Sequence, residues 1–196
     1  MQTLLLLLRN IPNALSAARI GATPVLGYLA AAGAEHYFTW VLVPALLTDI
    51  ADGLIARRFG LTSRLGALLD SIGDALLFFV ALFGVWVFYP ELLHTHAVAG
   101  LLLLGLWIVE IVAALIRYGR PSSFHTYLSK AAAYLLGISI GVLFLWGLPV
   151  ALLYLAVAAS VAANLEELAL ICLLPQWRPN VRGLYWVLQE RRRSAT

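Results

Sequence analysis

Asp49-Ile50-Ala51-Asp52-Gly53-Leu54-Ile55-Ala56-Arg57 opens a stretch that closes, after residues 58–65, on Gly66-Ala67-Leu68-Leu69-Asp70-Ser71-Ile72-Gly73-Asp74. It holds every aspartate in the chain. The surrounding sequence is oily: of 196 residues, 62% are hydrophobic and only 12% are charged. A soluble domain carries roughly twice that share of charge, so the chain reads as a polytopic membrane protein of the all-α class. A carboxylate at mid-bilayer costs about 3 kcal/mol, so acids retained there carry function.

Asp49 and Asp52 stand three residues apart, Asp70 and Asp74 four apart. Each pair therefore shares one helix face. If residues 58–65 reverse the chain, the two helices run antiparallel. Asp52 lies about 8 Å of helix rise before Arg57, and Asp70 about 6 Å beyond Gly66. The four carboxylates are thus expected to meet at one depth. Grouped carboxylates stay ionised only beside cations. No histidine or cysteine lies in the stretch, and an all-oxygen set selects Mg²⁺ or Mn²⁺ over Zn²⁺. Four acids suffice for two ions about 4 Å apart, an arrangement suited to displacement at phosphorus. Gly53, Ala56 and Gly66 keep the helix faces low for a ligand, and the Arg57 fork suits phosphate. Taken alone, such small residues equally serve close helix packing.

The basic residues place the rest of the chain. Twelve arginines and Lys130 flank the apolar runs, and none falls in 33–38, 89–97 or 147–150. That alternation predicts six transmembrane helices, near 14–33, 37–57, 66–89, 96–118, 127–147 and 149–174, with N- and C-termini cytoplasmic. Trp40, Trp86, Tyr89 and Trp146 fall near the outer ends, Tyr118 and Trp177 near the inner ends. Leu4–Leu8 followed by Arg9 reads as a short N-terminal interfacial helix. The arginines line no polar face, which argues against nucleic acid as partner. Cys172 is the only cysteine, so no internal disulfide forms. The expected organisation is a single domain over 1–196, integral in the inner membrane, with its site at the cytoplasmic face.

The motif D-x-x-D-G-x-x-A-R, eight residues, G-x-x-x-D-x-x-x-D resembles the signature of the CDP-alcohol phosphotransferases. Asp49, Asp52, Gly53, Ala56, Arg57, Gly66, Asp70 and Asp74 match it at every specified position. Arg9-Asn10-Ile11-Pro12-Asn13 followed by Arg19 also resembles the opening of the phosphatidylglycerophosphate and cardiolipin synthase branches. The resemblance implies transfer of a substituted phosphate from a CDP-linked donor to an alcohol, with release of CMP. It implies that Asp49, Asp52 and Asp70 hold two Mg²⁺ or Mn²⁺ ions, and that Asp74 touches the second ion and acts as general base. It further implies that Asp52, Gly53, Ala56, Arg57 and Gly66 contact the nucleotide, and that the protein is a homodimer in membrane lipid.

CDP-diacylglycerol is the expected donor and glycerol 3-phosphate the expected acceptor. Inositol phosphate, serine, choline or phosphatidylglycerol are the alternatives. The polar segment Glu110–Lys130 supplies Arg117 and Lys130 as candidate contacts for a phosphorylated acceptor. Relatives that use glycerol 3-phosphate typically carry Arg-Glu where this chain has Val109-Glu110. A different class, a cation- or proton-coupled transporter, also explains buried acids. It predicts acids spread through the bilayer depth, and it does not account for Gly53, Ala56, Arg57 and Gly66 at fixed offsets.

Overall fold

The computed structural model describes residues 2–59, 64–122, 124, 126–147 and 149–194, and the side chains of 14–48, 66, 69, 72–122, 124, 126–147 and 149–193. The described residues are helical, with no strand: α1 Gln2–Ala31, α2 Glu35–Phe59, α3 Arg64–Phe88, α4 Pro90–Thr95, α5 Ala97–Tyr118, α6 Tyr127–Trp146, α7 Val150–Leu173 and α8 Leu184–Ser194. They form two compact units, Met1–Thr95 and His96–Thr196.

In the first unit α1 packs on both α2 and α3. Leu26 and Ala30 of α1 are buried with Phe38 and Leu42 of α2 and Leu77, Ala81 and Val85 of α3. Glycine permits the closest approach: a Cβ on Gly84 would lie 2.3 Å from the Phe38 ring. Pro44 sits inside α2 and removes one backbone donor, a loss membrane helices tolerate. At the far end, the Tyr89 hydroxyl donates to Glu35, joining the exit of α3 to the entry of α2.

In the second unit α7 is the central helix, contacted by α5, α6 and α8. Ala114 of α5, Phe124, Leu170 and Ile171 of α7, and Val187 of α8 close one core. Thr126 caps α6, its Oγ1 accepting from the Ser129 N–H at 3.0 Å. α5 stops at Gly119, whose φ of 69° lets its N–H bond back to the Leu115 carbonyl at 2.9 Å.

Outside these contacts the helices are apolar. Val98, Leu101, Trp107, Ile108, Val112 and Ile116 of α5 are all exposed. A surface of that kind is stable against lipid and not against water. Among the described residues, α5, α6 and α7 are long and apolar enough to cross a bilayer, and Ile72–Phe88 of α3 forms a shorter apolar helix. The chain is a membrane protein. Trp40, Trp86 and Trp146 are exposed at helix ends, as amphipathic interfacial rings should be.

The sequence predicts a separate interfacial helix at Leu4–Leu8, and the structure corrects this. Those residues open α1, which runs unbroken from Gln2 to Ala31. Leucine is a strong helix former, and no glycine stop precedes residue 14. Two helices escaped the sequence reading: α4, within the expected outer connection, and α8, beyond the last expected span.

Gly84→Ala sets two effects against each other. Alanine favours the helix by about 1 kcal/mol, whereas forcing a methyl into a packed ring costs about 1–3 kcal/mol. The variant is expected to melt lower than wild type, and Phe38→Leu in the same chain to recover part of the loss.

Partial burial, and then the bond to Glu35, push the Tyr89 phenol up from its ordinary 10.0 to about 12. A raised folded value means the stabilisation is complete below pH 10 and is lost as pH rises towards 12. The Tyr89→Phe difference titration at 295 nm should therefore centre near 12. A midpoint at the ordinary tyrosine value would show that Glu35 does not hold the hydroxyl.

Candidate active site

The acidic stretch occupies the C-terminal part of α2 and the N-terminal part of α3. Asp49, Asp52, Gly53, Ala56 and Arg57 lie on α2, and Gly66, Asp70 and Asp74 on α3. The helical period thus places each aspartate pair on one face, as its spacing predicts. The side chains of Asp49, Asp52, Ala56, Arg57 and Asp70 lie outside the described residues. Gly66 is half-buried.

Asp74 is described in full, and α1 holds it. The Arg19 guanidinium, its side chain 0% exposed, donates from Nη1 to Asp74 Oδ1, while the Asp74 side chain remains 47% exposed. Gly73 lies against the same arginine, an added Cβ there falling 3.6 Å from Arg19 Cδ and Nη1. Thr23 Oγ1 donates to the Arg19 carbonyl at 3.1 Å. A guanidinium so fully removed from water requires anionic partners. Asp74 is thus bonded to Arg19 while its side chain keeps exposed surface. Sequence reasoning gave Arg19 no role beyond its place in the opening motif. The available signal was a lone arginine inside an apolar run.

The second unit has its own polar interior. Glu110 of α5 and Glu167 of α7 are both buried. The Ser122 hydroxyl donates to Glu110 Oε1 and lies 3.4 Å from Glu167 Oε2. Two carboxyls this near in a low-dielectric interior repel unless a proton or a cation lies between them. Glu166, one residue earlier, turns another way: its Oε1 accepts the Leu184 N–H at 2.9 Å and so caps α8. Its Oε2 is buried and finds no hydrogen-bond partner among the described residues.

The two candidate acceptor contacts, Arg117 and Lys130, are both exposed. Arg117 Nε donates to the Leu174 carbonyl at 3.2 Å beyond the end of α7, and its guanidinium lies 5.9 Å from the Tyr118 ring. Arg120 stacks over Trp177 at 4.9 Å. A cavity of about 320 Å³ opens beside α8, lined by Arg178, Asn180, Arg182, Trp186 and Glu190 among others. Across it Arg178 and Glu190 pair at 2.9 Å; this raises the guanidinium and lowers the exposed carboxyl relative to their ordinary values.

These features define a class: a helical membrane protein with two paired carboxylate registers on adjacent helices and a buried cation on the last of the acids. The chain belongs to the CDP-alcohol phosphatidyltransferase family, whose model matches residues 9–162. It is similar to the CMP-forming cardiolipin synthase of Homo sapiens, 40% identical over 43% of this chain and 28% of that one. It is also similar to the CMP-forming cardiolipin synthase of Streptomyces coelicolor, 32% identical over 64% of this chain and 60% of that one. A third relative is the CDP-diacylglycerol–glycerol-3-phosphate 3-phosphatidyltransferase of Aquifex aeolicus, 27% identical over 92% of this chain and 99% of that one. The chain spans little more than a quarter of the length of the human relative.

The Arg19–Asp74 pair is expected to couple by about 1–2 kcal/mol in a double-mutant cycle, below a fully buried pair because Asp74 is half exposed. Thermal unfolding in detergent of Arg19→Gln, Asp74→Asn and the double variant measures it. Additive losses would mean that Arg19 does not hold Asp74.

Proposed function

We propose that this chain is a membrane phosphatidyltransferase that moves a phosphatidyl group from CDP-diacylglycerol to an alcohol and releases CMP. The observation that carries the reading is the complete eight-position motif on α2 and α3, within a family match that covers most of the chain. Glycerol 3-phosphate is the favoured acceptor, because the Aquifex aeolicus relative, matched over nearly all of both chains, is named for that reaction. Phosphatidylglycerol is the second reading. It is favoured by the relatives named cardiolipin synthase and by Val109-Glu110 in place of Arg-Glu.

In this reading six helices span the bilayer with both termini in the cytoplasm, and the site faces the inner water boundary. The donor set of Asp49, Asp52, Asp70 and Asp74 is all oxygen and fits two Mg²⁺ or Mn²⁺ ions. Bound there, the ions offset negative charge on the diphosphate and the leaving group. Gly53, Ala56, Arg57 and Gly66 receive the cytidine and diphosphate. The acceptor oxygen attacks the phosphorus that bears the diacylglycerol, and the phosphorus–oxygen bond to CMP breaks. The hydroxyl proton passes to Asp74. Arg19 donates to Oδ1 of that carboxylate, whose side chain stays partly exposed beside the acceptor in this reading. Arg117 and Lys130 are proposed to meet a phosphorylated acceptor. The enzyme works as a homodimer in this reading.

Asp74→Asn is expected to lower CMP release from CDP-diacylglycerol by roughly 10²–10⁴-fold while CDP binding, followed by calorimetry with Mn²⁺, survives. Loss of nucleotide binding in that variant would assign Asp74 to the metal shell alone. A panel of acceptors with the wild-type protein decides between glycerol 3-phosphate and phosphatidylglycerol. No CMP with any acceptor would overturn the reading. Mn²⁺ with CDP should also raise the melting temperature, whereas a transporter would respond to the ion and ignore the nucleotide.

A further inference from the structure

α5 and α7 end on one level. The Tyr118 hydroxyl donates to the Leu174 carbonyl at 2.9 Å, and Arg117 Nε donates to the same oxygen at 3.2 Å. From that level the chain turns back into the second unit twice. After α5, Ser122 reaches the carboxyl of Glu110, whose backbone lies about 12 Å of helix rise before Tyr118. After α7, Gly183 and Leu184 lie against Glu166, about as far before Leu174. The approach needs a glycine: the φ of Gly183 is 154°, and an added Cβ would fall 2.9 Å from Glu166 Oε1. The two returning segments run side by side in the same direction. Trp177 Nε1 donates to the Pro121 carbonyl at 3.3 Å, and the Tyr127 N–H to the Arg182 carbonyl at 3.1 Å. α6 and α8 therefore both begin about two turns inside the ends of α5 and α7.

At that depth the outer face of α5 suits acyl chains, with Val112, Leu115 and Ile116 exposed. Irregular backbone is stable within a leaflet only inside protein or beside water. The return after α5 buries Phe124 and Thr126. The return after α7 instead leaves Arg178, Asn180 and Arg182 exposed, and with Trp186 and Glu190 they line the cavity of about 320 Å³. α8 then runs outward again, since the Arg191 guanidinium donates to the Leu173 carbonyl. Glu190 and its partner Arg178 thus stand towards the mouth of the cavity, and Arg182, just before α8, at its inner end. Among the described residues the Arg182 guanidinium makes no hydrogen bond or ion pair. A guanidinium at this depth requires water or an anion. The lining sets two guanidiniums against one carboxylate, and a forked guanidinium matches phosphate oxygens.

We propose that this cavity is a water-filled phosphate-binding site let into the leaflet at the C-terminal end of α7, with Arg182 as its cation. The group bound is a phosphate, carried by a small soluble molecule or by a lipid headgroup. The proposal rests on α5 and α7 as membrane spans and does not depend on the transferase reading.

The test follows the indole N–H signals of the six tryptophans in the isotope-labelled full chain by magnetic resonance, with Trp186→Phe assigning the one in the cavity wall. In phosphate-free maltoside micelles, inorganic phosphate is expected to shift the Trp186 signal saturably, and chloride at equal ionic strength to leave it in place. Arg182→Gln, at an exposed position, should weaken the response about tenfold or more. Asp74→Asn should respond like wild type, which separates this result from any failure of the transferase reading. Nanodiscs of phosphatidylserine without free phosphate distinguish the source. A shift there that Arg182→Gln removes, with no response to inorganic phosphate in micelles, would make the ligand a headgroup. No shift with either phosphate, an equal shift with chloride, or a response that survives Arg182→Gln would overturn the proposal.

Discussion

A charged group withdrawn from water must find its counter-charge inside the protein, and among the described residues the bond from Arg19 to Asp74 answers that demand. The guanidinium has no exposed surface. An unpaired cation in such a place costs more than most single contacts in a protein return. The pair therefore ties the face of α1 to the face of α3 and fixes how the two helices rotate against each other. Gly73 lies against Arg19, and Leu26 and Ala30 of α1 and Leu77 and Ala81 of α3 are buried on the same two helices.

The second unit obeys the same constraint with neutral and like-charged partners. Glu110 and Glu167 converge on Ser122, and Glu166 takes a backbone N–H at the start of α8. Each buried carboxylate thereby joins elements distant in sequence: α5 to α7, and α7 to α8. The hydrophobic effect contributes less to specificity here than in a water-soluble bundle, because lipid is as apolar as leucine. Polar contacts and small residues carry more of the burden of choosing one arrangement.

Much of the helical plan was legible beforehand. Apolar runs and the arginines between them placed α2, α3, α5, α6 and α7 to within about two residues at each end. Asp70 and Asp74 share a face because the helical period is local and needs no partner. The continuity of α1 through Leu4–Leu8 was missed, since an apolar run beside an arginine reads alike as a separate surface helix or as the first turns of a longer one. α8 was missed because its sequence, rich in arginine, gives no reason to fold back, and its entry is capped by Glu166 from another helix. The roles of Glu110, Glu166 and Glu167 were equally hidden. A buried acid announces itself in sequence, but its partner does not.

The sequence by itself determined the helical class, the membrane setting and the eight motif positions, because composition and helical period act over one segment at a time. Tertiary structure alone decided that Arg19 is the cation on Asp74, that Ser122 joins Glu110 to Glu167, and that Glu166 caps α8. Those pairings depend on which helix faces meet across tens of residues. A charge or hydrogen-bonding group takes whatever complement lies within a few ångströms, and that distance exists only once the chain has packed.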